Sequence, residues 1–161
     1  MTEQNWIDLL LFVHLIAIAW GVAGSTLDNV FVNLEREPWT SLLGIKRGPW
    51  LTGPVFPWLS RLITAGVALA GLSGIAMVYV AGGEELNLKV LTVKLILFAI
   101  LFVNGMYLTL RLEPEMEHVT PTGSGAMQTA TFQDVMGRVR THSLISLLGW
   151  YAIVALSIFI R

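Results

Sequence analysis

The chain has 161 residues, of which 55% are hydrophobic and 13% are charged, and its formal net charge is −1. Because a soluble domain carries about 25% charged residues, this composition favours a single membrane domain over residues 1–161 and offers no basic face for nucleic acid. The chain contains no cysteine, which excludes disulfides, iron–sulfur clusters and thiolate metal sites.

Four apolar segments are each long enough to cross a bilayer, which takes about 20 predominantly apolar residues. Backbone groups in lipid must be hydrogen-bonded within their own segment, so each segment is predicted to be a helix. The predicted helices cover approximately residues 6–36, 58–81, 88–111 and 132–160. The sequence therefore predicts an all-α integral membrane fold, an antiparallel bundle of four transmembrane helices.

The first predicted helix carries two ionisable residues, His14 and Asp28, inside an apolar run. Between them Ala17, Gly21 and Gly24 follow the spacing of a helix seam, and such small residues are expected to leave a groove on one face. An ionisable residue within a membrane span marks a candidate functional site. The start MTEQNW lacks the basic region of a signal peptide, so we expect this helix to be retained.

The connection from residue 37 to residue 58 contains three tryptophans and four prolines. Amphipathic aromatic rings prefer the boundary between membrane and water, so the sequence predicts an interfacial segment between the first two helices. Residues 81–87 are predicted to form a tight turn, and residues 111–130 a polar loop.

Lysine and arginine lie mainly on one side of the predicted membrane. Seven belong to the first and third connections with the adjoining helix ends: Arg36, Lys46, Arg47, Arg61, Arg111, Arg138 and Arg140. Lys89 and Arg161 lie on the opposite side, and Lys94 lies inside the third helix. The positive-inside rule then predicts a multi-pass membrane protein whose long connections are cytoplasmic, with both termini on the external side.

Counting depth along the helices separates the polar residues into two layers. At about 1.5 Å rise per residue, His14 lies about 12 Å and Lys94 about 9 Å from the external ends of their helices. We expect this pair beside Gly71 and Gly74 of the second helix. The seam on the third helix is predicted to be Lys94, Leu97, Leu101, Asn104, Leu108 and Arg111. The same counting places Asp28, Asn104 and His142 together near the cytoplasmic side.

His14 and Lys94 form the candidate catalytic and cofactor-binding pair. A neutral imidazole is a good ligand for haem iron, and helical bundles house cofactors between facing helices. We predict that His14 binds haem b, with Lys94 as a second ligand or a propionate partner. The glycines expected to give a flat macrocycle room are Gly21, Gly24, Gly71 and Gly74. The alternative is that His14 bonds a carbonyl or serine and that Lys94 extends to the headgroups.

His142 is the second candidate metal ligand after His14. A bis-histidine pair around one haem is disfavoured, because the estimated depths of these two residues differ by about 16 Å. Asp28, Asn104, His142 and Arg140 are predicted to form a polar or proton-handling layer. The alternative for this layer is a network that fixes helix ends, with Arg140 neutralising Asp28.

Three stretches carry a family resemblance: WxxxLLFxHLIAIAWGVAG, PWLSRLITAGVALAGLSGIAM and LTVKLILFAILFVNG. The chain resembles the superfamily of small bacterial four-helix membrane proteins that includes HemJ-type protoporphyrinogen oxidase and the membrane domain of CopD-type copper-resistance proteins. In the HemJ-type family a first-helix histidine and a third-helix lysine are implicated in binding haem b, and they match His14 and Lys94. The third helix departs from the family at Asn104, Gly105 and Met106, where a tyrosine–histidine stretch is usual.

The expected function is redox chemistry in the bilayer: electron transfer, or oxidation of a small hydrophobic substrate such as a porphyrinogen or a quinone. A homodimer is expected, because so small a bundle covers little of a haem-sized ligand. The competing hypothesis is a transport subunit in which His14, Lys94, Asp28 and His142 line a path for metal ions or protons. A third hypothesis is an accessory membrane subunit without chemistry of its own.

Overall fold

The computed structural model describes residues 3–34, 52–80, 87–119 and 130–159, which are helical apart from Asn87. The α-helices in chain order are α1 (Glu3–Leu34), α2 (Thr52–Val80), α3 (Leu88–Tyr107), α4 (Glu113–Val119) and α5 (Ala130–Leu156). A π-helical turn, Leu108–Leu112, joins α3 to α4, and a 3-10 turn, Ser157–Phe159, follows α5. The described ranges contain no strand, which confirms the predicted all-α class.

Four helical stretches in the described ranges are long and apolar enough to cross a membrane, as the sequence predicts. They are Gln4–Asn33, Pro57–Val80, Leu88–Val119 and Ala130–Leu156. Most of the predicted interfacial segment, residues 37–51, lies outside the described residues, as do the connections 81–86 and 120–129. The end of that segment is helical, because α2 begins at Thr52.

The start of α3 follows from a cap. The Asn87 side-chain oxygen accepts a hydrogen bond from the Val90 N–H at 3.3 Å, which satisfies one of the unpaired donors of the first turn. The predicted start at residue 88 therefore agrees with the structure.

The third span is longer than predicted, because the sequence EPEMEHV forms α4 instead of a loop. Contacts to two other helices hold α4 in place. Glu113 accepts hydrogen bonds from Ser60 at 3.0 Å and from Arg61 at 3.3 Å, both on α2. Arg138 of α5 donates a hydrogen bond to Glu115. These tertiary contacts explain why so polar a segment continues the helix.

The π turn changes which residues of the third span face the bundle. Lys94, Leu101, Asn104 and Leu108 are buried as predicted, but Leu112 is buried in place of Arg111, which is exposed. Because π-helical hydrogen bonds run from i to i+5, the turn holds one more residue than an α-turn and delays the seam by one position. One earlier position of the seam also differs: Phe98 is buried, whereas the predicted seam residue Leu97 is half-buried.

Each helix of the bundle packs against two neighbours: α1 and α3 both contact α2 and α5. The contact between α1 and α2 is the most extensive. The two backbones approach closely at Gly66, which has no side chain: an added Cβ would lie 3.0 Å from both the Ala17 carbonyl oxygen and the Gly21 nitrogen. An apolar cluster fills the middle of the bundle: Ala17, Val67, Ala70, Phe98, Leu101, Trp150 and Ile153. A second cluster lies around the π turn, α4 and the first half of α5.

Candidate functional site

The His14 side chain is half-buried between α1 and α2. Its Nδ1 lies 3.0 Å from the Ser73 hydroxyl oxygen. The ring covers the surface of α2 beside Gly74, where an added Cβ would lie 3.2 Å from His14 Cε1. Gly74 thus gives the imidazole room to approach the α2 backbone.

The hydrogen bonds of Ser73 favour Nδ1 of His14 as the protonated nitrogen. The Ser73 hydroxyl donates to the Leu69 carbonyl at 2.6 Å and has a second acceptor in the Ala70 carbonyl at 3.3 Å. With its proton directed to the backbone, the hydroxyl accepts from His14 Nδ1, and the Ala70 backbone is a further hydrogen-bond partner of the imidazole. In this tautomer the lone pair is on Nε2, as in a metal-binding histidine whose other nitrogen is held by a neighbour.

Lys94 is 9% exposed and lies between α3 and the end of α5. Its Nζ donates to the Ser157 hydroxyl at 2.9 Å, and Ser157 in turn donates to the Ile153 carbonyl at 2.9 Å. Within the described residues the ammonium has no carboxylate partner. The lysine is also within electrostatic range of the His14 ring.

Contacts near Trp150 place His14 and Lys94 at one depth. Gly21 of α1 faces the Trp150 ring, and Leu101 of α3 faces Gly149, the residue next to it. His14 and Lys94 each precede their helix's contact at this level by seven residues, which is about 10 Å of helix. The structure therefore brings the predicted pair into the same end of the bundle, without a direct hydrogen bond between them.

The four glycines predicted to form a groove have different surroundings. A Cβ on Gly21 would collide with the Trp150 ring, and one on Gly24 would lie 2.9 Å from the Ile63 side chain. The expectation of an open groove at these two positions is wrong, because large side chains of neighbouring helices fill it. Gly71 has no atom within 4 Å of an added Cβ, and it lies one turn of α2 from Gly74.

The second set of polar residues begins with a network between α3 and α5. The Asn104 amide donates to the His142 carbonyl at 2.9 Å and to the Ser146 hydroxyl at 2.8 Å. Its oxygen lies 2.6 Å from His142 Nδ1 and accepts the proton of that nitrogen. The Tyr107 ring packs against the imidazole at a centroid distance of 4.6 Å. Asn104 and His142 are thus together, as predicted.

Asp28 also belongs to this second set, but it lies between α1 and α5 and is not part of the Asn104 network. Its side chain is 1% exposed, and within the described part of the chain neither carboxyl oxygen makes a hydrogen bond. The Ser143 hydroxyl lies beside the carboxyl and accepts a hydrogen bond from Asn29 at 2.8 Å. Arg140 does not neutralise Asp28 as expected; its Nε donates to the Val32 carbonyl at 3.3 Å.

The structure separates the two candidate histidine ligands. His142 is adjacent to Ser143, which bonds Asn29, and Asn29 is 15 residues, or about 22 Å of helix, from His14. The apolar cluster around Trp150 lies between them. Among the described residues no group of three His, Cys, Asp or Glu side chains could hold a metal ion.

Depth counting also places Ser73 of the second helix at the level of His14, but the sequence does not indicate the other partners of these residues. Those partners contact a predicted site residue or fill the predicted groove: Ser143, Ser146, Ser157 and Trp150. A signal for all four was present in α5 and the turn after it. Residues 143, 146, 150, 153 and 157 alternate in steps of three and four, which is the spacing of a helix seam.

The fit of these residues to a haem is uneven. His14 suits an axial ligand in the tautomer that donates from Nδ1 to Ser73 and keeps the lone pair on Nε2. Gly71 leaves room on α2 one turn from the histidine, but the His14 ring itself covers Gly74. Gly21 and Gly24 do not fit, since Trp150 and Ile63 cover them. The cofactor hypothesis therefore depends on His14, Lys94 and the α2 surface alone.

No protein-family model, curated protein or solved structure matches this chain. The resemblance to the HemJ- and CopD-type proteins thus remains a prediction that depends on the quoted sequence stretches. Any function must be argued from the geometry of the two polar sets.

Proposed function

We propose that the protein is a multi-pass membrane protein that binds haem b through His14 and has a redox role. Four helices long and apolar enough to cross a bilayer support the membrane location. Contacts that join early residues of one helix to late residues of the next, such as His14 to Ser73 and Lys94 to Ser157, support an antiparallel bundle. The excess of basic residues in two connections supports a bacterial inner membrane with external termini.

The observation that carries the proposal is the hydrogen-bonding state of His14. The contact with Ser73, which itself donates to the Leu69 carbonyl, supports Nδ1 as the donor and Nε2 as the nitrogen available to iron. The same contact belongs to the alternative in which His14 bonds a serine without a cofactor, and a haem spectrum distinguishes the two. Haem bound at this nitrogen would supply one-electron redox chemistry, and the protein would supply the axial ligand and an apolar surrounding.

Lys94 is proposed to pair with a haem propionate. A buried ammonium without a carboxylate nearby is costly, and within the described residues the hydrogen-bond partner of the Lys94 nitrogen is the Ser157 hydroxyl. A propionate would supply the missing negative charge. Because the neighbouring faces of α1 and α2 expose apolar side chains, the substrate proposed for this site is a small hydrophobic molecule from the lipid, such as a porphyrinogen or a quinone.

The apolar cluster in the middle of the bundle supports the redox hypothesis over transport. It separates His14 and Lys94 from Asp28 and His142 with the buried side chains of Phe98, Leu101, Trp150 and others. A path for ions or protons through all four polar residues would have to cross this cluster. The redox role needs only the His14 end of the bundle.

The experiment is an absorbance spectrum of the full chain, expressed with ample haem and purified in detergent. We expect a reduced-state α band typical of b haems in the wild type and its loss in His14→Ala. His118→Ala is the matched control, because His118 is exposed on α4 and should leave the spectrum unchanged. Lys94→Met should weaken haem retention without abolishing it. A colourless wild type, or an unchanged spectrum in His14→Ala, would disprove the proposal.

A further inference from the structure

Three buried side-chain oxygen atoms in the last third of α1 lack hydrogen-bond partners within the described part of the chain: Ser25 Oγ and both carboxyl oxygens of Asp28. Ser25 is 0% exposed and Asp28 is 1% exposed. The two residues are three positions apart, so their side chains share one face of the helix. Buried polar groups are almost always hydrogen-bonded, and an orphaned one calls for an unseen partner such as a water or an ion.

The Ser143 hydroxyl adds a fourth oxygen from the opposite helix. It lies beside the Asp28 carboxyl and is 0% exposed. Asn29 donates to it at 2.8 Å, which uses one of the two lone pairs of the oxygen. The other lone pair remains, and the hydroxyl proton is available to the Asp28 carboxyl. The result is a set of oxygen atoms from α1 and α5 around a single carboxyl group.

Within the described part of the chain, the charged groups on the helices packed against α1 have other partners and leave Asp28 without a counter-ion. On α5, Arg140 donates to the Val32 carbonyl, and His142 Nδ1 is engaged with Asn104. On α2 the one charged residue is Arg61, which pairs with Glu113. An uncompensated carboxylate in a buried site is too costly to persist. One positive charge is therefore required beside Asp28 whenever it is ionised.

We propose that Asp28, Ser25 and Ser143 form a binding site for one Na⁺ ion inside the bundle. A single carboxylate balances a monovalent ion, whereas a divalent ion would leave a net charge in the apolar interior. A hard cation prefers oxygen ligands, and one ion can satisfy several of the orphaned oxygens at once. A proton on Asp28 is the competing way to remove the charge, and the test below separates the two. The site is independent of the proposed haem, since the apolar cluster around Trp150 separates it from His14.

The test measures the thermal unfolding of the detergent-purified full chain while NaCl replaces N-methylglucamine chloride at constant ionic strength. Binding to the native state alone should raise the Tm of the wild type by about 3–6 °C at ten times the dissociation constant. Asp28→Asn, which keeps the shape of the side chain, should abolish this rise. Ser25→Ala should shift the midpoint to higher Na⁺ concentration.

Asp8→Asn is the matched control, because it removes the same charge from an exposed position on α1 and should keep the full response to Na⁺. Lowering the pH should weaken the response, since protons compete for Asp28. If Na⁺ raises the Tm of Asp28→Asn as much as that of the wild type, the site is elsewhere. If the wild type responds to pH but not to Na⁺, a proton alone neutralises Asp28 and the proposal is overturned.

Discussion

Gly21 and Gly71 are both helical glycines in apolar spans, yet their surroundings are opposite. Gly21 lies under the buried ring of Trp150, which also packs edge-to-face on Phe98 at a centroid distance of 6.0 Å. We expect Gly21→Ala to lower the free energy of unfolding by about 1–3 kcal/mol, because the ring must move out of a packed core. Gly71→Ala has no atom to displace and should instead stabilise the helix by about 0.5–1 kcal/mol. Denaturation in detergent, followed by tryptophan fluorescence, measures both values.

Asn104 makes three hydrogen bonds between α3 and α5. Its amide and oxygen contact His142 and Ser146 at 2.6–2.9 Å. Because such bonds between membrane helices average about 0.6 kcal/mol each, with a maximum near 1.7, Asn104→Leu should destabilise the protein by about 1–2 kcal/mol. Val103→Leu, one residue away on the exposed face, is the control and should leave the unfolding midpoint unchanged. Equal stabilities of the two variants would show that the hydrogen bonds of Asn104 do not stabilise the bundle.

The residues that carry the two polar sets could be predicted because charge is rare in membrane spans. His14, Lys94, Asp28 and His142 are conspicuous for that reason alone. Their serine partners are not, since a serine in a membrane helix satisfies its hydroxyl on its own backbone, as Ser73 and Ser157 do. On α5, the three–four spacing indicates that Ser143 and Ser146 face inward.

At the scale of elements, hydropathy predicts that a helix exists better than where it ends. The start of α3 follows from the Asn87 cap, a local signal. The continuation of the third span to Val119 depends instead on contacts of Glu113 with α2. Those contacts join residues more than 50 positions apart in the sequence, so no local pattern indicates them.

Deleting one residue tests whether the third span contains a π turn at Leu108–Leu112. Removing the exposed Leu110 should convert this turn to an α-turn and leave Leu108 and Leu112 both buried, because the π turn holds one extra residue. We expect the deletion variant to purify as a folded protein. Removing the exposed Ile100 from the regular part of α3 should instead rotate all later side chains by about 100° and prevent folding. Size-exclusion profiles and circular dichroism compare the two deletions, and equal loss of folding in both would contradict the assignment.

At the scale of the whole molecule, counting residues along the helices was sufficient to separate the two polar sets. It could not predict what fills the space between them. The sequence predicts a groove at Gly21 and Gly24, whereas the side chains of Trp150 and Ile63 occupy that space. A glycine in a sequence indicates that something approaches closely, but only the packing of four helices decides whether that is a ligand or a side chain.

The orientation of the bundle is the remaining prediction at this scale. The first and third connections, with the adjoining helix ends, hold seven basic residues, and the opposite side holds two. This excess predicts that those connections face the cytoplasm. The chain has no cysteine, so single cysteines can be introduced without a background. In intact cells a membrane-impermeant maleimide should label Thr2→Cys and Gly83→Cys, and it should label Gly123→Cys only after the membrane is permeabilised. The inverse pattern would place the long connections outside, and it would put the His14 end of the bundle on the cytoplasmic side.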